Sequence, residues 1–134
     1  MEEMFEYLVP LRGIFKKKRD PKIMESYKKL DDFSEIVADF GIARPFLNDA
    51  VRVGQSCFFP KEKVTIFYLK DIRKAYFRAY GSDSSDDFGA IHFIFRDGSE
   101  EVVYKTQETD GRRVAAELFS ALNEKGIETA ILTA

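Results

Sequence analysis

Histidine and cysteine each occur once in this chain, as His92 and Cys57, and tryptophan does not occur at all. One cysteine excludes an intramolecular disulfide, and one histidine excludes a paired-histidine metal site. A Ser/His/Asp triad has no spare parts. The eight glycines are scattered, and no GxGxxG or P-loop phosphate motif is formed. No apolar run approaches the roughly 20 residues that a membrane-spanning helix needs. The most apolar early stretch, Tyr7 to Phe15, is broken by Pro10, Arg12 and Gly13. The start, Met1-Glu2-Glu3-Met4, lacks the basic region of a signal peptide. A formal charge of −2 predicts no whole-protein attraction to nucleic acid or anionic lipid. These absences point to the reducing cytoplasm, with no transmembrane segment and no cofactor.

What is present is ordinary globular material with an aromatic bias. Apolar residues make up 45% and charged residues 33%, with 13 Phe and six Tyr to build a core. A chain of 134 residues suits a single domain. Charge is segregated early. Residues 12–29 carry eight basic side chains, including the run Lys16-Lys17-Lys18-Arg19, against Asp20 and Glu25.

Asp20-Pro21 is a helix start, because Asp caps well and Pro is tolerated at the first helical position. Met24, Tyr27, Leu30, Phe33, Val37 and Phe40 recur every three or four residues and predict an apolar stripe, with Gly41 as a stop. Asp32 with Glu35 also reads as a capping box, so residues 21–40 form one helix or two. After Arg44-Pro45 the period falls to two. Val51, Val53, Cys57 and Phe59 are expected on one face of a strand over 51–59, followed by a loop at Pro60-Lys61-Glu62-Lys63. Val64 to Leu69 reads as a central strand and Ile72 to Tyr80 as another. Residues 81–87 are too polar to pack. Asp97-Gly98 predicts a two-residue hairpin turn between strands over 89–96 and 99–106, setting Phe93 opposite Val102 and Ile91 opposite Tyr104. A second helix is expected over Gly111 to Lys125, with Val114, Ala115, Leu118, Phe119 and Leu122 inward and Gly126 closing it. Ile127 to Leu132 reads as a last strand or a loose end. Several hairpins and a terminal helix make an α+β fold.

No catalytic or metal constellation emerges. His92 falls on a mixed strand face and reads as a packing residue, and Cys57 as a small inward hydrophobe. Glu100 and Glu101 point to opposite faces of a strand and cannot act together as acid and base. Asp83, Asp86 and Asp87 lack the spacing of a calcium loop. The candidate ligand-binding residues are Lys61, Lys63, Lys70, Arg73 and Lys74, extended by Arg78 and interleaved with Tyr68, Tyr76 and Phe77. Basic residues among aromatics suit single-stranded nucleic acid or an anionic surface.

The hairpin before Lys61, the run Thr65-Ile66-Phe67-Tyr68-Leu69-Lys70-Asp71-Ile72, the Asp97-Gly98 hairpin and helix 111–125 together resemble bacterial domains of the pleckstrin-homology-like fold. The resemblance spans residues 51–125 and implies a binding scaffold: a bent antiparallel sheet or split barrel of about five to seven strands, capped by the C-terminal helix. Residues 1–45 would be a helical extension and 46–134 the sheet and helix, in one domain. Lipid-binding members use basic residues in and after the first hairpin loop, which Lys61 and Lys63 match. The expected function is a non-catalytic interaction domain that docks a peptide or protein along a sheet edge beside the helix. Its rivals are a small enzyme with an unrecognised cleft and a patch for anionic lipid or nucleic acid.

Overall fold

The computed structural model describes residues 2–8, 21–61, 65–80 and 89–132. The run Lys16–Arg19, the polar tract 81–87 and Lys63 lie outside these. The chain is α+β and clusters into two units, residues 1–67 and 68–134. Among the described residues its strands form two sheets of four, and neither sheet closes into a barrel. This differs from the single bent sheet of five to seven strands. The chain turns a corner at Leu69–Asp71, a 3-10 turn, where one unbroken strand was expected over 64–69. That corner is tied down by Arg96, whose Nε donates to the Lys70 carbonyl at 2.7 Å and whose backbone N–H donates to that of Asp71 at 2.8 Å.

In the first unit, helix α1 (Glu2–Leu8) buries Met4, Phe5, Tyr7 and Leu8. The stripe expected over 21–40 is split between α2 (Pro21–Lys28) and α3 (Phe33–Ile42), and Leu30 falls in the break, 40% exposed. Asp32 stands at the N-cap of α3 without a side-chain capping bond. Gly41 is not the stop, since the helix runs on to Ile42 and Ala43 is extended. Aromatic rings join the helices: Phe5 stacks on Phe33 at 6.2 Å, and Tyr7 meets Phe40 at 5.5 Å.

Strands β1 (Arg44–Phe46), β2 (Val51–Val53), β3 (Cys57–Pro60) and β4 (Phe67–Tyr68) follow in spatial order. The strand expected over 51–59 is thus a hairpin, with Val53 opposite Phe58 and Arg52 opposite Phe59. Cys57 and Phe59 therefore share a face with Arg52 rather than with Val51 and Val53. Cys57 is nevertheless buried, because all four residues of β3 are. The hairpin turns on Gly54, whose N–H donates to the Cys57 carbonyl at 2.9 Å. Between β1 and β2 three residues in succession, Leu47, Asn48 and Asp49, have positive φ. Arg52 clamps this left-handed turn with two bonds to the Asp49 carboxylate, at 2.8 and 3.0 Å.

In the second unit, β5 (Ile72–Ala79), β6 (Gly89–Phe95) and β7 (Glu100–Thr106) form an antiparallel meander. Helix α4 (Gly111–Glu124) follows, capped by Asp110, whose carboxylate accepts from the Arg113 N–H at 3.3 Å. Its inward residues Ala115, Leu118, Phe119 and Leu122 are all buried, and Gly126 ends it at φ +83. The tail is a strand, β8 (Glu128–Leu132), and it pairs with β5 in parallel, so the sheet is mixed rather than antiparallel. A helix between the two supplies the long crossover that parallel pairing requires. The sheet order is β7-β6-β5-β8.

The β6–β7 turn has three residues, Arg96, Asp97 and Gly98, closed by the Phe95 N–H donating to Ser99 at 2.8 Å. Gly98 takes φ +90, the left-handed position of such loops. The longer turn shifts the register by one, placing Phe93 opposite Glu101 and His92 opposite Val102. A bulge at Val103 then restores the expected pairing of Ile91 with Tyr104.

Candidate functional site

Alternation along β5 sends Ala75, Phe77 and Ala79 to one face and Lys74, Tyr76 and Arg78 to the other. The first face is the one α4 covers: a Cβ on Gly111 would strike the Phe77 ring and the Ile131 side chain. On the opposite face, the register sets Tyr76 beside His92 on β6 and beside Ala130 on β8. The Tyr76 and His92 rings stack with centroids 4.7 Å apart and planes 4° from parallel.

His92 is buried, and both of its ring nitrogens are engaged. Nδ1 lies 3.0 Å from Glu100 Oε2, and Nε2 lies 2.8 Å from the Tyr80 hydroxyl. The Tyr76 hydroxyl donates to the same Glu100 oxygen at 2.6 Å. The hydrogen bond from Tyr76, and then the field of His92, hold the Glu100 carboxyl below its usual range. It is therefore ionised and can only accept. Nδ1 must then carry a hydrogen, and Nε2 of the neutral ring accepts from Tyr80. Burial, followed by the bond to Glu100, pushes the Tyr76 phenol up to about 12. The group is thus a relay, Tyr80 to His92 to Glu100, braced by Tyr76.

Two further side chains flank it. Arg78 is exposed, and its guanidinium stands over the Tyr80 ring, 5.6 Å from the centroid. Lys74 is half-buried at the other end of the row. Arg73, exposed, is the bulged residue of β5, and Lys70 is exposed with its ammonium 5.5 Å from the centre of the Tyr68 ring. Lys70, Arg73 and Lys74 are thus gathered where the chain enters β5. Lys61 belongs to the first unit, 6.0 Å from the Tyr7 ring, and Lys63 lies outside the described residues.

Tyr76, Tyr80, His92 and Glu100 were not legible as a group. Tyr76 and Tyr80 recur at strand spacing with Arg78 between them, which signals a shared face. Meeting His92 and Glu100 required the correct register, and the two-residue turn set that register one residue out. Glu101, opposite Phe93, does lie on the other face from Glu100.

The two edges of this sheet differ in kind. Edge strand β7 carries Glu100, Glu101 and Lys105, the charged side chains that discourage pairing with another chain. Edge strand β8 has Glu128 alone, and then Thr129, Ala130, Ile131 and Leu132 without a charge or proline. Thr129 to Ile131 are half-buried and Leu132 is exposed. The β5 edge beside α4, where docking was expected, is already filled by β8 itself.

No described helix is long and apolar enough to cross a membrane. Among the described residues no three His, Cys, Asp or Glu side chains are grouped so as to hold a metal ion. Comparison with protein-family models, with curated proteins and with solved structures gives no match.

Proposed function

We propose that this chain is a non-catalytic cytoplasmic binding module that takes an extended acidic peptide as an added strand along β8. The observation that carries it is the contrast between the sheet's two edges, one guarded by charge and the other bare. Such an edge offers a row of backbone donors and acceptors to a partner strand. Charge selects the partner. Lys70, Arg73, Lys74 and Arg78 lie on or just before β5, and β8 sets only Glu128 against them. Strands lie about 4.8 Å apart, so a strand outside β8 sits about 10 Å from β5. Lysine and arginine side chains meeting a peptide glutamate span that distance. The pleckstrin-homology-like reading is supported by the run of antiparallel strands β1 to β7 followed by α4, with β8 an addition.

A fluorescently labelled peptide of alternating Glu and Val tests this by anisotropy. It should bind at low salt and weaken as salt screens the charges. Arg73→Glu and Leu132→Asp should each reduce affinity by about tenfold, through charge reversal and an acidic edge residue respectively. Both positions are exposed, so stability should change by less than about 0.5 kcal/mol. Absence of peptide binding at low salt would overturn the proposal, as would tighter binding to phosphatidylserine vesicles or to a single-stranded oligonucleotide.

A further inference from the structure

Histidine is the side chain that ordinarily changes charge between about pH 5 and 8, and His92 is the only one in the chain. Its bonds decide what a proton would do there. Glu100 accepts from Nδ1–H, so an added proton can go only to Nε2, the atom that accepts from Tyr80. Nε2–H then becomes the donor and the phenol oxygen the acceptor. The phenol hydrogen must leave the line between them and turn outward. One event therefore places a positive charge behind Tyr80 and frees a donor in front of it.

The surroundings suit an anion. Arg78 is exposed over the Tyr80 ring and makes no ion pair among the described residues. Tyr80 itself is half-buried. Groups on the same face as His92 come from every neighbouring strand: Lys74, Tyr76, Arg78 and Tyr80 from β5 and its end, Glu100 and Lys105 from β7, and Glu128 from β8. The cations oppose an imidazolium and the carboxylates favour it. Glu100, in hydrogen-bond contact, acts at the shortest range. Helix α4 covers the other face.

We infer that Tyr80 and Arg78 form an oxyanion-binding point, for a carboxylate, phosphate or sulfate group, that opens when His92 takes a proton. The bound oxygen accepts from the freed phenol O–H and from the guanidinium, with the imidazolium charge behind the phenol. This site is separate from strand docking on β8 and does not depend on it.

Sulfate is the probe, because it stays dianionic throughout the range while phosphate does not. Sulfate should bind about tenfold tighter at about pH 5.5 than at about pH 8, the worth of one charge-assisted hydrogen bond. General gain of positive charge at acid pH would also attract sulfate, and Tyr80→Phe separates the two effects. That variant has the same net charge and keeps a ring beneath Arg78, but has no hydroxyl to redirect. Its pH dependence should fall below about threefold. Equal sulfate affinity of the unaltered protein at the two pH values would overturn the proposal. So would a Tyr80→Phe protein that keeps the full dependence. Nitrogen NMR of the His92 ring gives an independent reading. The hydrogen should sit on Nδ1 at about pH 8 and on both nitrogens in acid; a neutral ring protonated at Nε2 would sink the mechanism whatever the sulfate result. Inorganic phosphate and acetate, compared at about pH 5.5, then show which oxyanion the site prefers.

Discussion

Asp39 in the first unit and His92 in the second are buried to the same depth, each 7% exposed, but their partners differ in kind. Asp39 accepts three backbone N–H groups, from Gln55 at 2.7 Å, Ser56 at 3.1 Å and Cys57 at 2.9 Å. His92 is held by the side chains of Tyr80 and Glu100. A carboxylate bound to a backbone turn does one thing, which is to define that turn. A histidine bound to side chains can exchange donor for acceptor without moving a strand. Architecture is written in the first kind of contact, and responsiveness in the second.

The largest expected effect tests the architectural half. Asp39→Ala leaves the donors of the β2–β3 turn without their shared acceptor and should cost about 3–4 kcal/mol, since each bond to a charged group contributes more than a neutral one. Urea denaturation of the variant measures it. A loss below about 1 kcal/mol would mean that water replaces the carboxylate and that Asp39 does not shape the turn. The same turn allows a second, smaller test. A Cβ on Gly54 would land on the Asp39 carboxylate. Gly54→Ala should therefore cost about 1–3 kcal/mol as an overpacking strain. In an Asp39→Ala background the cost should largely vanish, and an additive double variant would show that the two residues are uncoupled.

The Asp39 contact also explains what could be read along the chain and what could not. Helix α4 was legible because its stripe, its Asp110 cap and its Gly126 end are all local. Gly98 was legible as a positive-φ residue for the same reason. The β2–β3 hairpin was not. Gly54, Gln55 and Ser56 sit inside an alternating run and carry no strong turn signal. What bends them is a carboxylate 15 residues earlier, at Asp39, relative to Gly54. The parallel seat of β8 is non-local in the same sense, since a weakly alternating tail does not say which strand it meets. Three of the proposed ligand residues, Lys70, Arg73 and Lys74, do cluster, because strand β5 and the turn before it are continuous in sequence. The histidine relay needed cross-strand register, and one extra turn residue with its compensating bulge at Val103 was enough to hide it.

The smallest effect concerns the responsive half. Tyr76→Phe keeps the ring that stacks on His92 at 4.7 Å and removes only the hydroxyl bonded to Glu100. The cost at neutral pH should be about 1 kcal/mol. Its pH dependence is the sharper test. The Tyr76 phenol is raised from 10.0 to about 12 in the folded protein, first by burial and then by Glu100. The folded state therefore holds this proton more tightly than the unfolded chain does. The stabilisation is complete below about pH 10 and is lost as pH rises toward 12. Cys57 in the first unit, raised by burial from 9.0 to about 12, acts in the same direction, as do the buried phenols Tyr7 and Tyr27. The unaltered protein should thus weaken steadily in alkali, and Tyr76→Phe should weaken less steeply above about pH 10. In acid the sign reverses. Glu100 is held below its ordinary 4.5 chiefly by the Tyr76 hydroxyl, so its contribution is present above that value and is lost as pH falls. Tyr76→Phe should flatten this limb too. Denaturation midpoints across both limbs decide the matter: a variant that shifts every midpoint equally would reduce Tyr76 to packing, and the relay would lose its brace.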